Sequence, residues 1–434
     1  MIVNLIKNKL NSPVGKDVVW TFSVQILIML CSFAINKILS NRLTIDNFGQ
    51  FNVIKRSVSV MSFVMLAGTG IALPRYISLY KGKGSVLKTH SFLVAAVAYI
   101  LSVTMVMALL CALFSAYAQE IMTGNTGEPL LFAVSIAYSF ALALSGFIFA
   151  YYRGMGDFKK FNVSQLLIQL SIIVPLLTIP HITTGDVFVS WLAITSLLVA
   201  IFVFGEQTKK RFILFKRVRT ANVRKQFLIL VKYSGWRLLG DFFLFSLSAF
   251  PVVYLSYYHD LQSVAYFSIG ITFVTMATPI FSFMGFILLP YVSKGIATGK
   301  MAQANGFIRR LALIYIASSA LITAVFYGFV QFLIRLFFAE NYVVADGLTR
   351  ILILSILPQA MYLLYRNPID AVSVTPYNTI ILGFSFFLMV VLFYHYHTLK
   401  QYACAYLVVS AVQGILSYLA WKILKIKQKK HQND

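Results

Sequence analysis

Six side chains in this sequence could do chemistry from within apolar surroundings: the adjacent pair Lys55 and Arg56, the cations Lys37, Arg237 and Arg335, and the carboxylate of Asp241. A cation at the centre of a lipid-facing helix costs roughly 2.5–3.5 kcal/mol on insertion scales, so such groups persist only beside water, an anion or an interface. Together they form an electropositive set, which concentrates anions and repels cations. The chemistry they suit is therefore the holding of a phosphate-like group rather than the making of bonds. Lys55 stands about five residues, roughly 8 Å, from the expected outer end of its apolar run, within reach of a snorkelling stem. Lys37 and Arg335 also lie near outer ends. Arg237 and Asp241 share a helical face one turn apart. They are open to a structural ion pair or to a role for Asp241 in coupling to H⁺ or Na⁺.

The elements that must carry these residues follow from composition. The chain has 434 residues, of which 59% are hydrophobic and 12% charged, and its mean hydropathy is +0.81. Soluble domains carry about a quarter of charged residues, so this composition defines an integral membrane protein. Cys31, Cys111 and Cys404 fall in apolar runs without metal-ligand spacing, and His395 and His397 have no further ligand nearby. Neither a disulfide framework nor a metal site is expected. No phosphate-binding loop of the G-x-x-x-x-G-K-[ST] type occurs, so no nucleotide cofactor is expected. The first apolar run is too long for a signal-peptide core and is expected to remain as a membrane span.

Runs of about 20 apolar residues begin near Val18, Phe51, Lys88, Leu130, Phe161, Val187, Tyr233, Val264, Arg309, Leu348, Tyr377 and Tyr402. With the N-terminus inside, 29 of the 37 Lys and Arg residues fall on the inner side, against Arg42, Arg350 and Lys400 outside. This asymmetry satisfies the positive-inside rule and predicts that both termini are cytoplasmic. Most of the formal charge of +24 is thereby topological, and no nucleic-acid partner is needed to account for it.

A shift of 216 lays the second half on the first, pairing Trp20 with Trp236 and Leu73-Pro74 with Leu289-Pro290. Polar stripes repeat as well. Asn52, Arg56, Ser59 and Ser62 occupy one face of the second span, and Ser268, Thr272, Thr275 and Thr278 are their shifted counterparts. Thr21, Gln25 and Ser32 line the first span, answered by Arg237, Asp241 and Ser248 in the seventh. A polar face is costly against lipid, which predicts that these stripes face a wet interior. The expected fold is all-α and polytopic: twelve transmembrane helices in two six-helix bundles, a 6+6 repeat, around a central cavity. The N-terminal bundle covers residues 1–208, a basic cytoplasmic linker 209–232 and the C-terminal bundle 233–434.

Three segments resemble a known family. LTIDNFGQF (Leu43 to Phe51), GTGIALPRYISLYKGKGS (Gly68 to Ser85) and YYRGMGDFKKFN (Tyr151 to Asn162) are similar to the inter-span motifs of Wzx-type polysaccharide flippases, members of the multidrug/oligosaccharidyl-lipid/polysaccharide exporter superfamily. The resemblance implies a flippase, not an enzyme, that moves an undecaprenyl-diphosphate-linked oligosaccharide across the bacterial inner membrane. The cargo class would be an O-antigen or capsule repeat unit in lipopolysaccharide or polysaccharide assembly. The implied partners are that glycan, membrane lipids and other glycan-assembly proteins. Lys37, Lys55, Arg56, Arg237 and Arg335 would then bind the substrate, and Asp241 the coupling ion. A membrane glycan polymerase or ligase acting on the same donor is the alternative. Short outer connections leave such an enzyme little room for catalytic loops.

Overall fold

Hydrocarbon offers no hydrogen-bond partner to the backbone, so a long apolar run closes its amides internally and becomes a helix. The structure, a computed structural model, describes residues 13–124, 127–204, 220–282, 288, 292, 301–373 and 375–433. The side chains of residues 13–18, 220–221, 236–237, 301–302 and 427–433 lie outside that description. Every regular element among the described residues is helical. Among the described residues eleven helices are long and apolar enough to cross a membrane, and a broken pair makes a twelfth span.

The chain divides into two compact units, Met1–Phe242 and Phe243–Asp434. The first holds α1 (Pro13–Arg42), α2 (Ile45–Leu66), α3 (Thr69–Gly82), α4 (Val86–Leu113), α5 (Ser115–Thr123), α6 (Pro129–Met155), α7 (Phe158–Ser171), α8 (Val174–Thr178), α9 (Thr184–Phe204) and the first part of α10 (Thr220–Tyr258). The second continues from within α10 through α11 (Leu261–Ser282), α12 (Met301–Gly328), α13 (Val330–Phe337), a 3₁₀ turn (Glu340–Ala345), α14 (Asp346–Ile353), α15 (Ile356–Val372), α16 (Tyr377–His395) and α17 (Leu399–Asn433).

The internal repeat is visible in the element order. In each unit the third span is followed at once by a short helix, α5 after α4 and α13 after α12. The two third spans are also the most lipid-exposed, with only 17% of each apolar window buried. Their short helices carry exposed apolar side chains, Phe114, Tyr117 and Ile121 on one side of the repeat and Phe329, Phe332 and Leu336 on the other. Such side chains suit the membrane boundary, where an amphipathic helix can lie. By contrast, 72% of the window in α11 is buried, the largest share among the candidate spans.

Helix breaks follow the punctuation residues. α2 ends where Ala67 takes φ 54° and Gly68 φ 68°, and the chain re-enters a helix at Thr69. The Thr69 hydroxyl donates to the Leu66 carbonyl at 2.6 Å, satisfying one of the groups that the break releases. In the tenth span, α14 and α15 meet at a bend of 41°. The predicted basic linker has its residues 209–219 outside the described structure, and from Thr220 to Lys232 it is the opening of α10.

Candidate functional site

The second span supplies the adjacent cations. Helix α2 opens on an N-cap in which the backbone N–H of Asn47 donates to Thr44 Oγ1 at 3.2 Å. Phe48 and Phe51 of the first motif are fully buried. The Phe51 ring meets Phe188 and Trp191, both at 5.7 Å between centroids, and Trp191 Nε1 donates to the Ile172 carbonyl at 2.9 Å. This aromatic box holds α2 against α9, so the first motif is a packing device for the helix that carries Lys55 and Arg56.

The helix begins at Ile45, earlier than the apolar run that starts near Phe51. Lys55 lies ten residues into α2, about 15 Å at 1.5 Å per residue. Its Nζ sits 5.5 Å from the centroid of the Phe51 ring. No carboxylate comes within ion-pair range of Lys55 among the described residues. Arg56 is half-buried beside it, with Nε shielded from solvent. On the same stripe Asn52 Nδ2, Ser59 Oγ and Ser62 Oγ donate to carbonyls within α2, at 2.8, 2.7 and 2.9 Å. Backbone bonds of this kind satisfy small polar groups locally. The repeat-related Thr272, Thr275 and Thr278 bond back along α11 in the same manner.

The remaining predicted site residues lie elsewhere. Lys37 is half-buried, five residues from the end of α1. Arg335 is not inside a long span: it belongs to the short helix α13, where its exposed side chain forms a 3.6 Å ion pair with Glu340. Hydropathy merged α12 and α13 because the bend at Phe329 leaves no polar mark. Asp241 is buried, with Oδ2 shielded from solvent. Arg237 precedes it by one turn of α10, and its side chain lies outside the described structure.

The stripe on the first span, expected to face water, meets a matching stripe on α7. Asn162 Nδ2 donates to Thr21 Oγ1 at 2.9 Å, Gln25 Nε2 to Gln165 Oε1 at 2.9 Å, and Gln169 Nε2 to Ser32 Oγ at 3.4 Å. Amides that pair across two helices remove the need for water. Spacing on one helix shows that a face is polar, but not whether its partner is water or another side chain.

Two arginines read from the sequence as inside charges within the family-like motifs prove to organise the surroundings of α2 and α3. Pro74 lies inside α3 and has no N–H to donate to the carbonyl four residues earlier. That carbonyl belongs to Gly70, and Arg153 Nη2 donates to it at 2.6 Å. Ser78 Oγ donates to the Gly154 carbonyl at 2.9 Å, and Lys81 Nζ to the Met155 carbonyl at 2.8 Å. A Cβ on Gly154 would stand 3.0 Å from Pro74 Cα, so only glycine lets α6 approach α3 this closely. The second and third motifs are thus two halves of one joint. Arg75 Nη1, from the same segment, donates to the Tyr233 hydroxyl at 2.9 Å and lies 4.8 Å from that ring's centroid.

Among the described residues no cluster of three or more His, Cys, Asp or Glu could hold a metal ion. The geometry offers adjacent half-buried cations on a helix of membrane-spanning length, braced by neighbouring helices.

The fold is one shared with solved multi-spanning membrane proteins. It resembles an inward-facing multidrug resistance MATE family transporter of the MOP superfamily, with a TM-score of 0.76 at 14% identity over 95% of this chain and 99% of that one. The Vibrio cholerae MATE transporter VcmN is similar at a TM-score of 0.65 and 15% identity, over 96% and 97% of the two chains. The lipid II flippase MurJ, in an inward closed conformation, gives 0.65 at 13% identity, over 94% and 87%. No curated protein matches the chain in sequence at a significant level. The profile of the polysaccharide biosynthesis protein family matches residues 14–296. The chain belongs to that family, the one whose Wzx-type flippases its motifs resemble.

Proposed function

We propose that this protein is a flippase for an undecaprenyl-diphosphate-linked oligosaccharide, an O-antigen or capsule repeat unit. It carries the headgroup from the cytoplasmic to the periplasmic leaflet of a bacterial inner membrane by alternating access, with both termini cytoplasmic. Membership of the polysaccharide biosynthesis family supports the substrate class, and the shared fold with a lipid II flippase supports the kind of transport. The single observation that carries the reading is the pair Lys55 and Arg56, half-buried at the middle of α2, within the first third of the candidate membrane span Ile45–Gly82.

Dragging a hydrated diphosphate through hydrocarbon strips it of its hydrogen bonds at a cost of several kcal/mol or more. Adjacent ammonium and guanidinium groups replace part of that hydration with charge-assisted hydrogen bonds. In this reading Lys55 and Arg56 take the diphosphate, Arg237 meets it near the inner end of α10, and Lys37 and Arg335 receive it at the outer helix ends. The buried carboxylate of Asp241 exchanges H⁺ or Na⁺ and ties the cycle to an ion gradient. No bond is made or broken.

The test is transfer of a lipid-linked oligosaccharide between leaflets of vesicles containing only this protein. Leaflet transfer without new glycosidic bonds is expected. Growth of glycan chains in the same vesicles would assign a polymerase or ligase instead.

A further inference from the structure

Helix α10 is 39 residues long, about 58 Å at 1.5 Å per residue, whereas a bilayer core needs only about 30 Å. Its membrane span is Leu238–Tyr258, so residues 220–237 precede the crossing. That leading segment has two faces. One docks on its own unit. Gln226, Leu230 and Ser234 are buried at intervals of four, and Val223, Phe227 and Tyr233 pack against the same core as Leu73, Ile77 and Phe92. The Tyr80 hydroxyl donates to Gln226 Oε1 at 2.8 Å, and Tyr99 meets Phe227 edge-on at 5.5 Å.

Among the described residues nothing covers the opposite face. Arg224, Lys225 and Lys232 are exposed, and between them Leu228 is 59% and Val231 40% exposed. These five residues fall within roughly 120° of the helix at 3.6 residues per turn. No Asp or Glu occurs anywhere from Thr220 to Arg237. A loop retained in the cytoplasm by charge alone has no reason to expose leucine and valine among its cations. A helix seated at the lipid boundary does, because apolar groups enter the acyl region while cations meet headgroup phosphates.

We propose that this face of α10, built from Arg224, Lys225, Leu228, Val231 and Lys232, binds anionic phospholipid headgroups of the cytoplasmic leaflet. The assignment rests on the proposed function only for which leaflet is cytoplasmic. Because the opposite face of the same helix bears on Tyr80, Arg75 and the α2–α3 break at Gly68, lipid seated here steadies the broken second span. Each cation near an anionic surface adds about 1 kcal/mol, so three correspond to a preference on the order of a hundredfold for an isolated helix.

The test is retention of phosphatidylglycerol against phosphatidylcholine on the full-length purified protein, counted by native mass spectrometry. The triple variant R224Q/K225Q/K232Q is expected to weaken phosphatidylglycerol retention at least fivefold, and L228S/V231S at least twofold, each with an unchanged melting temperature. The control triple K159Q/K422Q/K425Q removes equal charge elsewhere and is expected to retain the lipid. Equal loss in both triples, or wild-type retention in R224Q/K225Q/K232Q, overturns the proposal. So does displacement of the lipid by millimolar inorganic pyrophosphate, which would assign the face to the transported diphosphate. Retention is read without transport, so failure of the flippase assay does not affect this outcome.

Discussion

Arg153 Nη2 donates a 2.6 Å hydrogen bond to the carbonyl of Gly70, the acceptor that Pro74 leaves open four residues later in α3. One residue breaks the helical ladder and another, from α6, repairs it from outside. Two motifs whose bonded residues stand 83 apart in sequence are thereby one structural unit.

The Arg153→Ala variant is expected to lose about 1.5–3 kcal/mol of stability, as charged donors to buried acceptors do. In a P74A background the restored N–H can reach Gly70, and the penalty for R153A should fall below about 1 kcal/mol. Thermal unfolding of the four proteins in detergent completes the cycle. Equal penalties in both backgrounds would disprove the coupling.

Gly68 adopts φ 68°, and a Cβ placed there would lie 2.9 Å from Ser234 Cβ. Gly68→Ala therefore combines backbone strain with overpacking and is expected to cost about 1–3 kcal/mol. A S234G second substitution should recover the steric part, leaving the conformational part, as measured by melting temperature.

Removing the charge of Lys55 or Arg56 is expected to lower leaflet transfer about 10- to 100-fold, the equivalent of one charge-assisted hydrogen bond. Protein abundance should be unchanged. R56K should retain more activity than R56A, since it keeps the charge while losing the guanidinium fork. Full transfer in both K55A and R56A would remove these residues from the proposed path.

For Asp241, the proposal of ion coupling predicts that D241N retains substrate binding but no longer responds to an imposed H⁺ or Na⁺ gradient. Vesicle transfer with and without each gradient decides it. Gradient-dependent transfer by D241N would leave Asp241 with a structural role alone.

Asp260, between the seventh and eighth spans, caps α11, accepting from the Ser263 backbone N–H at 2.6 Å. The Ser263 hydroxyl and that same N–H hold its carboxyl below the ordinary carboxylate range. Its cap is fully formed above the unfolded value of about 3.9 and is lost as pH falls through the lower folded value. D260A should therefore cost about 1 kcal/mol at pH 7, with the difference from wild type shrinking below pH 4.

The spans, the repeat and the charge asymmetry were legible in the sequence because each depends on residues close together in the chain. An apolar run becomes a helix wherever it meets lipid, and a polar stripe is visible from its spacing alone. The sequence also singled out the motifs around Phe51, Pro74 and Arg153, but not their physics. Only the tertiary structure showed that Arg153 serves a carbonyl opened by Pro74, that Gln25 pairs with Gln165, and that Arg335 sits on a separate short helix bound to Glu340. The reason is that a polar group's partner is chosen by which helices touch and in what register. Hydropathy and periodicity, which describe one helix at a time, do not contain that choice.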